Sequence, residues 1–489
     1  MGKRIAIIGA GISGLLACKY MMKSGFDPVV FESRAEIGGI WSNTIESTKL
    51  QTPKQFYQFS DFPWPNCVNE TFPDHAKVLA YLQSYAGHFG ILPRIKFRSN
   101  VASLDYIEAS KKWIVHVINP DDSSMFHEFD FVILCIGRYS DLPNIPDFPF
   151  NKGPEVFNGH VLHSMDFAST DRFFSKEATT GKKVVVVGFQ KSAVDLAVEI
   201  ATRNGTKNPC TMIFRTVHWT VPEKMMERSI KSMNRFTELF VHKPKEGLLR
   251  WILVLLLTPL LWVASTLIEL YLQCIYPLRK HNMVPAHDYF SQIFSCRVTV
   301  LPEKFYQKVE EGSIVLKKMN AFHFTEDGVV IDGTTCLPAE AVIFATGYKS
   351  EEKLKRMFSS VYFQECIGSS SPLYRECVHP GIPQVAILGY TDSSSVLFTT
   401  EMRSKWVAAV AGGTVVLPAA KKMEEEGRQW ESCMRRYAKD RYRKSCVSVM
   451  LQIHCHDQIC MDLGLRHRRK KTFFSDMFCP YNPQDYKNL

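Results

Sequence analysis

Hydrophobic residues near the N-terminus fall in short unbroken runs, the pattern of strands buried on both faces rather than of strands with one wet face. Ile5-Ala6-Ile7-Ile8 is the first run and Val29-Val30-Phe31 the second, and the residues between them predict a helix over 15–23. Further strands are predicted over 101–106, 113–118 and 129–135. Gly137 and the proline-rich stretch 142–146 then mark a boundary. The order starts again with Val184-Val185-Val186-Val187 as a buried strand, a helix over 195–203 and a strand over 211–214. Later runs predict strands over 341–348 and 385–390, with a helix around 401–406. This alternation predicts a first domain over 1–145, a second over 146–325, and a return to the first over 326–489.

Each unit carries a turn of small residues between its strand and its helix. The first reads Gly9-Ala10-Gly11-Ile12-Ser13-Gly14. Gly9 makes the tight turn, Gly11 lets bare backbone approach a pyrophosphate, and Gly14 lets helix and sheet pack closely. The helix N-terminus adds partial positive charge. Glu32 ends the next strand, where a carboxylate accepts hydrogen bonds from an adenosine ribose. That full context separates a dinucleotide site from a glycine-rich turn of structural origin. The second turn is Gly188-Phe189-Gln190-Lys191-Ser192-Ala193. Gln190 stands where the middle glycine would be, so its side chain must turn aside for a pyrophosphate. Arg215 ends the following strand in the place of an acid. A guanidinium there matches a 2′-phosphate and selects NADPH over NADH, with a plain surface arginine as the competing reading.

Composition narrows the field. The 489 residues are 46% hydrophobic and 22% charged, ordinary for a globular protein. The net charge of +10 suits anionic cofactors or a membrane surface. No basic helix or aromatic-basic module accompanies it, so nucleic acid is not an expected partner. The 14 cysteines form no C-x-x-C pair and no signal peptide is recognised, which predicts reduced thiols in the cytoplasm. His454-Cys455-His456 lacks the distant partners of a metal site. The run Arg466-His467-Arg468-Arg469-Lys470-Lys471 reads as a solvated loop. Residues 251–268 carry no charge and reach the roughly 18 residues of a membrane helix. A single crossing there would part the two halves of the first domain, and Pro259 predicts two shorter helices within an apolar insert over 248–278. Two readings stand: a buried pair beside a substrate channel, or a monotopic patch that makes the protein peripheral on the endoplasmic reticulum membrane.

Between the two turns, Phe157, Gly159, His163 and Phe167 fit the signature F-x-G-x-x-x-H-x-x-x-[YF], although Ala168 stands where a basic residue is common. With Phe59-Ser60-Asp61-Phe62-Pro63 and Phe344-Ala345-Thr346-Gly347-Tyr348, the chain resembles the flavin-containing monooxygenases, most closely their plant branch, from about residue 4 to the C-terminus. The resemblance implies an α/β fold of two Rossmann-like dinucleotide-binding domains, the FAD domain discontinuous and the NADPH domain inserted. It implies hydride transfer from NADPH to FAD, capture of dioxygen as a flavin hydroperoxide, and transfer of one oxygen atom to a soft nucleophile, with N-hydroxylation of an amine or amino acid leading. FAD would be held by Gly9, Ala10, Gly11, Ile12, Ser13, Gly14, Glu32, Gly39, Ile40, Trp41, Thr346 and Gly347. NADPH would be held by Gly188, Phe189, Gln190, Lys191, Ser192, Ala193 and Arg215. Gln51 replaces an asparagine that keeps flavin and nicotinamide in register, and His163 couples the domains. S-oxygenation of a thioether, and a non-catalytic nucleotide-binding or redox-sensing role, are the alternatives. Phe167 argues against a Baeyer–Villiger enzyme, which would carry tryptophan there.

Overall fold

In the computed structural model, which describes residues 2–168 and 172–488, two five-stranded parallel sheets organise the molecule. In the first, Arg4–Ile8 lies between Asp27–Phe31 and Phe131–Leu134, with Ile95–Lys96 and Val385–Ile387 at the edges. In the second, Val184–Val187 lies between Cys210–Phe214 and Ala341–Phe344, with Ile314–Lys318 and His160–His163 outside. Every residue of Val184–Val187, Phe131–Leu134 and Ala341–Phe344 is buried, as central parallel strands covered on both faces require. The helix Ile12–Lys23 packs on Val396–Gly412, and buried Glu401 of the latter accepts from Tyr20 Oη at 2.6 Å and Ser60 Oγ at 2.7 Å. An antiparallel meander (Asn100–Ile107, Lys112–Ile118, Ser124–Phe129) covers one flank of the first sheet.

Three expectations need correction. The strand Ala341–Phe344 does not belong to the returning first domain. It pairs with Val184–Val187 and His160–His163, so the second unit extends past residue 325 and the chain rejoins the first sheet only at Val385–Ile387. Two buried parallel strands look alike as apolar runs, and only the pairing tells them apart.

Pro259 does not split the apolar segment: Leu248–Ile275 is one helix of 28 residues. Nor is it a buried pair, because its inner positions Val254, Ser265 and Leu272 are buried while Leu256, Leu260, Trp262 and Val263 are exposed. Contacts along the whole inner face hold it together, outweighing the roughly 3 kcal/mol that an interior proline costs. The carboxylate of Glu269 accepts from Tyr289 N at 2.8 Å and from Ser265 Oγ at 2.9 Å, and Leu272 enters the core of the second unit.

Finally, the cysteines are not all thiols. Cys296 and Cys446, separated by 150 residues, form a disulfide, and the other twelve are free. Sequence spacing could not disclose a pair that only folding brings together.

Candidate functional site

The C-terminal ends of both sheets face one cleft of about 1490 Å3. Gly9, Gly11, Ile12, Ser13, Glu32, Gly39, Ile40 and Trp41 line it from the first unit, and Gly188, Phe189, Gln190, Lys191, Ser192 and Arg215 from the second. Thr346, Gly347 and Gln51 line it as well. Ala10, Gly14, Ala193 and His163 sit behind this lining and support it.

The first turn is shaped by close approach. Gly9 has φ +103°, and a Cβ at Gly14 would come within 1.8 Å of the Gly9 carbonyl oxygen. Glu32, nearly buried, folds back onto the turn: its carboxylate accepts from Ala10 N at 2.7 Å and from Arg34 N at 2.9 Å. At the second turn Gly188 has φ +132°, and a Cβ there would meet the Ala345 carbonyl oxygen at 2.6 Å. Gln190, exposed and with extended backbone, stands at the N-terminus of Lys191–Asn204 in the lining of the cleft. The helices that follow, Ile12–Lys23 and Lys191–Asn204, have no side-chain cap on their first N–H groups. Uncapped N–H groups facing a cleft, each beneath a glycine turn, fit the pyrophosphates of two dinucleotides. Arg215 is exposed at the end of Cys210–Phe214 and makes no ion pair or side-chain hydrogen bond among the described residues, so it is placed to meet a 2′-phosphate.

Gln51 accepts from Val300 N at 3.0 Å through Oε1, which orients its amide, and its NH2 group has no hydrogen-bond partner among the described residues. Trp41 Nε1 donates to Tyr57 Oη at 3.0 Å. His163 Nε2 donates to the Gly347 carbonyl at 3.0 Å while Nδ1 accepts from Met165 N at 3.2 Å, so the neutral ring pins the linker to the Thr346-Gly347 turn. Burial lowers its pKa and keeps it neutral. Gly347 O also accepts from Asn144 N at 2.9 Å, which makes this turn a joint between units. Among the described residues no group of His, Cys, Asp and Glu is placed to hold a metal ion.

Residues 2–476 match the family described as flavin-binding monooxygenase-like. The chain belongs to this family. It is 37% identical to probable flavin-containing monooxygenase 1 of Arabidopsis thaliana, over 99% of this chain and 96% of that one. The N-oxide-forming dimethylaniline monooxygenase 4 of Homo sapiens is 27% identical over 100% of this chain and 85% of its own. Among solved structures, the OTEMO complex with FAD and NADP superposes with TM-score 0.71 at 16% identity, covering 94% of this chain and 98% of that one. S-allyl-L-cysteine S-oxygenase from Allium sativum does so with TM-score 0.60 at 19%, covering 95% and 89%. Those two share the fold. This flavin-containing monooxygenase therefore uses FAD and NADPH with dioxygen on a small-molecule substrate.

The sequence did not single out Arg138, Asp392, Arg297 and Arg443, which also line the cleft. Asp392 lies 3.4 Å from Arg138 and 3.5 Å from Arg443, and Tyr139 Oη donates to it at 2.6 Å. The Thr391-Asp392-Ser393-Ser394-Ser395 run before the helix Val396–Gly412 was the available signal, since such residues favour helix starts.

Proposed function

We propose that this monooxygenase hydroxylates the nitrogen of an amine or amino acid. The observation that carries the monooxygenase chemistry is that both glycine-turn cradles and Gln51 line one cleft, while the preference for nitrogen rests on the resemblance. When bound, FAD and NADPH supply the hydride and oxygen chemistry, and the chain supplies orientation and exclusion of water. The glycine turns and helix N-termini would fix the two pyrophosphates, Glu32 a ribose and Arg215 a 2′-phosphate. Gln51, clamped through Oε1, would offer its NH2 group where flavin and nicotinamide approach. His163 would keep the two halves in register. The human relative named as N-oxide-forming, alike over the whole of this chain, favours nitrogen. The garlic S-oxygenase, similar at the level of fold, represents the sulfur alternative. The test is anaerobic reduction by NADPH followed by oxygen pulses with amines, amino acids, thioethers and ketones, the products being identified by mass spectrometry. Hydroxylamines are the expected product. Sulfoxides alone, or a flavin that NADPH fails to bleach, overturn the reading.

We also propose that the helix Leu248–Ile275 lies flat on a membrane at its cytoplasmic side. The reading is supported by an inner face that rests on protein at Val254, Ser265 and Leu272 and by an outer face that is apolar and exposed.

A further inference from the structure

Arg138, Arg297 and Arg443 line the cleft, Arg441 lies close enough to Arg297 to repel it, and the nearby acids Asp392 and Glu376 are fewer than these cations. Asp392 is shared by Arg138 and Arg443. Arg297 is half-buried, lines the cleft, and makes no ion pair or side-chain hydrogen bond among the described residues; its Nε is buried without a partner. Arg441 makes no ion pair among the described residues, and its Nε is buried without a partner. Burial, then repulsion from Arg443 and Arg441, pushes the Arg297 pKa below the usual guanidinium value, the mark of a cation held without its counter-ion.

Two features hold this arrangement in place. The disulfide between Cys296 and Cys446 joins the segment that carries Arg297 to the segment that carries Arg443. Three residues after Arg297, Val300 N donates to Gln51, so the cation and the positioning amide share one short stretch of backbone. The two glycine turns already provide for the cofactor pyrophosphates, and Arg215 for a 2′-phosphate. The Arg297 charge is left for something else that enters the cleft.

We propose that Arg297, with Arg443 beside it, is the anchor for a substrate carboxylate, so that the oxygen acceptor is an amino acid rather than a simple amine. The inference rests on the nitrogen-oxygenation reading above and narrows it. A planar guanidinium pairs with a carboxylate through two parallel N–H···O bonds, which fixes orientation as well as affinity. An α-carboxylate held there would place the adjacent nitrogen on the Gln51 side of the cleft.

The test uses the flavin-loaded enzyme with pairs of compounds that differ by the carboxylate: L-proline with pyrrolidine, L-phenylalanine with 2-phenylethylamine, and S-allyl-L-cysteine with allyl methyl sulfide. Binding is read from perturbation of the flavin absorbance and turnover from NADPH consumption. Wild type should bind at least one acid about tenfold or more tighter than its counterpart, the scale of one charge-assisted contact. R297Q should abolish that preference, R297K should keep part of it, and the unfolding midpoint of each variant reports folding. No preference in wild type, or a preference that survives in R297Q, overturns the anchor. So does a rise in the KM for NADPH that is equal for acids and amines, which would make Arg297 a nucleotide-phosphate contact. If acids bind by this rule but only sulfur is oxygenated, the anchor stands and the nitrogen reading falls. If amines are hydroxylated whether or not they carry a carboxylate, the anchor falls alone.

Discussion

At Glu32 a single carboxylate organises the first turn. Its two oxygens take different backbone donors, Ala10 N and Arg34 N, in a nearly buried position. Glu32→Ala strands both N–H groups, at a cost of about 1–3 kcal/mol each when buried. It would also remove the acceptor proposed for a ribose. We expect the dissociation constant for FAD to rise at least about tenfold, measured by flavin released into an ultrafiltrate. Glu32→Gln should fall between, because one oxygen still accepts while its NH2 group opposes a donor. Unchanged flavin retention in the alanine variant would remove Glu32 from the site. This residue was legible in the sequence because its role depends on neighbours within one strand–turn–helix unit. Arg297 was not: what makes it unusual is the missing acid and the nearby Arg443, and no spacing along the chain records either.

For the helix Leu248–Ile275 the sequence disclosed apolar length but neither continuity nor orientation. Proline is a strong local breaker, yet the helix continues because Leu261, Ile268 and Leu272 rest on cores contributed by distant residues, and Val254 and Ser265 are buried beside them. Leu256, Leu260 and Val263 recur on the other side and are exposed by 69, 57 and 56%. Replacing all three by Asp should abolish flotation with liposomes and leave the unfolding midpoint within a few degrees, because exposed positions contribute little to stability. Leu272→Ala should do the reverse. It opens a cavity in a fully buried position, costs about 2–5 kcal/mol, and leaves flotation intact in the folded fraction. Persistent flotation of the triple variant would place the membrane contact elsewhere.

The whole molecule depends on how the two sheets are tied across the cleft. The His163–Gly347 bond, the Gln51–Val300 bond and the Cys296–Cys446 disulfide all span that region, and they join chain segments far apart in sequence. The α/β alternation and the two turns were readable from the runs, whereas the assignment of Ala341–Phe344 needed strand pairing. Closing a loop of 150 residues should make the disulfide worth about 2–4 kcal/mol, so reduction or Cys446→Ser should lower Tm measurably. Acid should act on the whole structure through buried histidines. Burial lowers the pKa of His127, His163, His218, His287, His379, His454 and His456, to about 4 for His218 and about 3 for His454 and His456. In the unfolded chain these rings titrate near 6.5. Below that pH the unfolded state binds more protons than the native one, so stability falls with pH, and the loss continues until the folded pKa values are passed. Asp195, Glu238 and Glu376, whose carboxyls burial raises, act in the opposite sense at the acid end, but they are fewer. Tm should therefore drop steadily from pH 7 to pH 5. His456 packs its ring 4.4 Å from Phe398, so His456→Gln should lower Tm at pH 7 yet flatten the slope, because the variant has one fewer ring to charge. A Tm that is flat over this range, or a slope unaltered by His456→Gln, would mean that the buried histidines do not control acid stability.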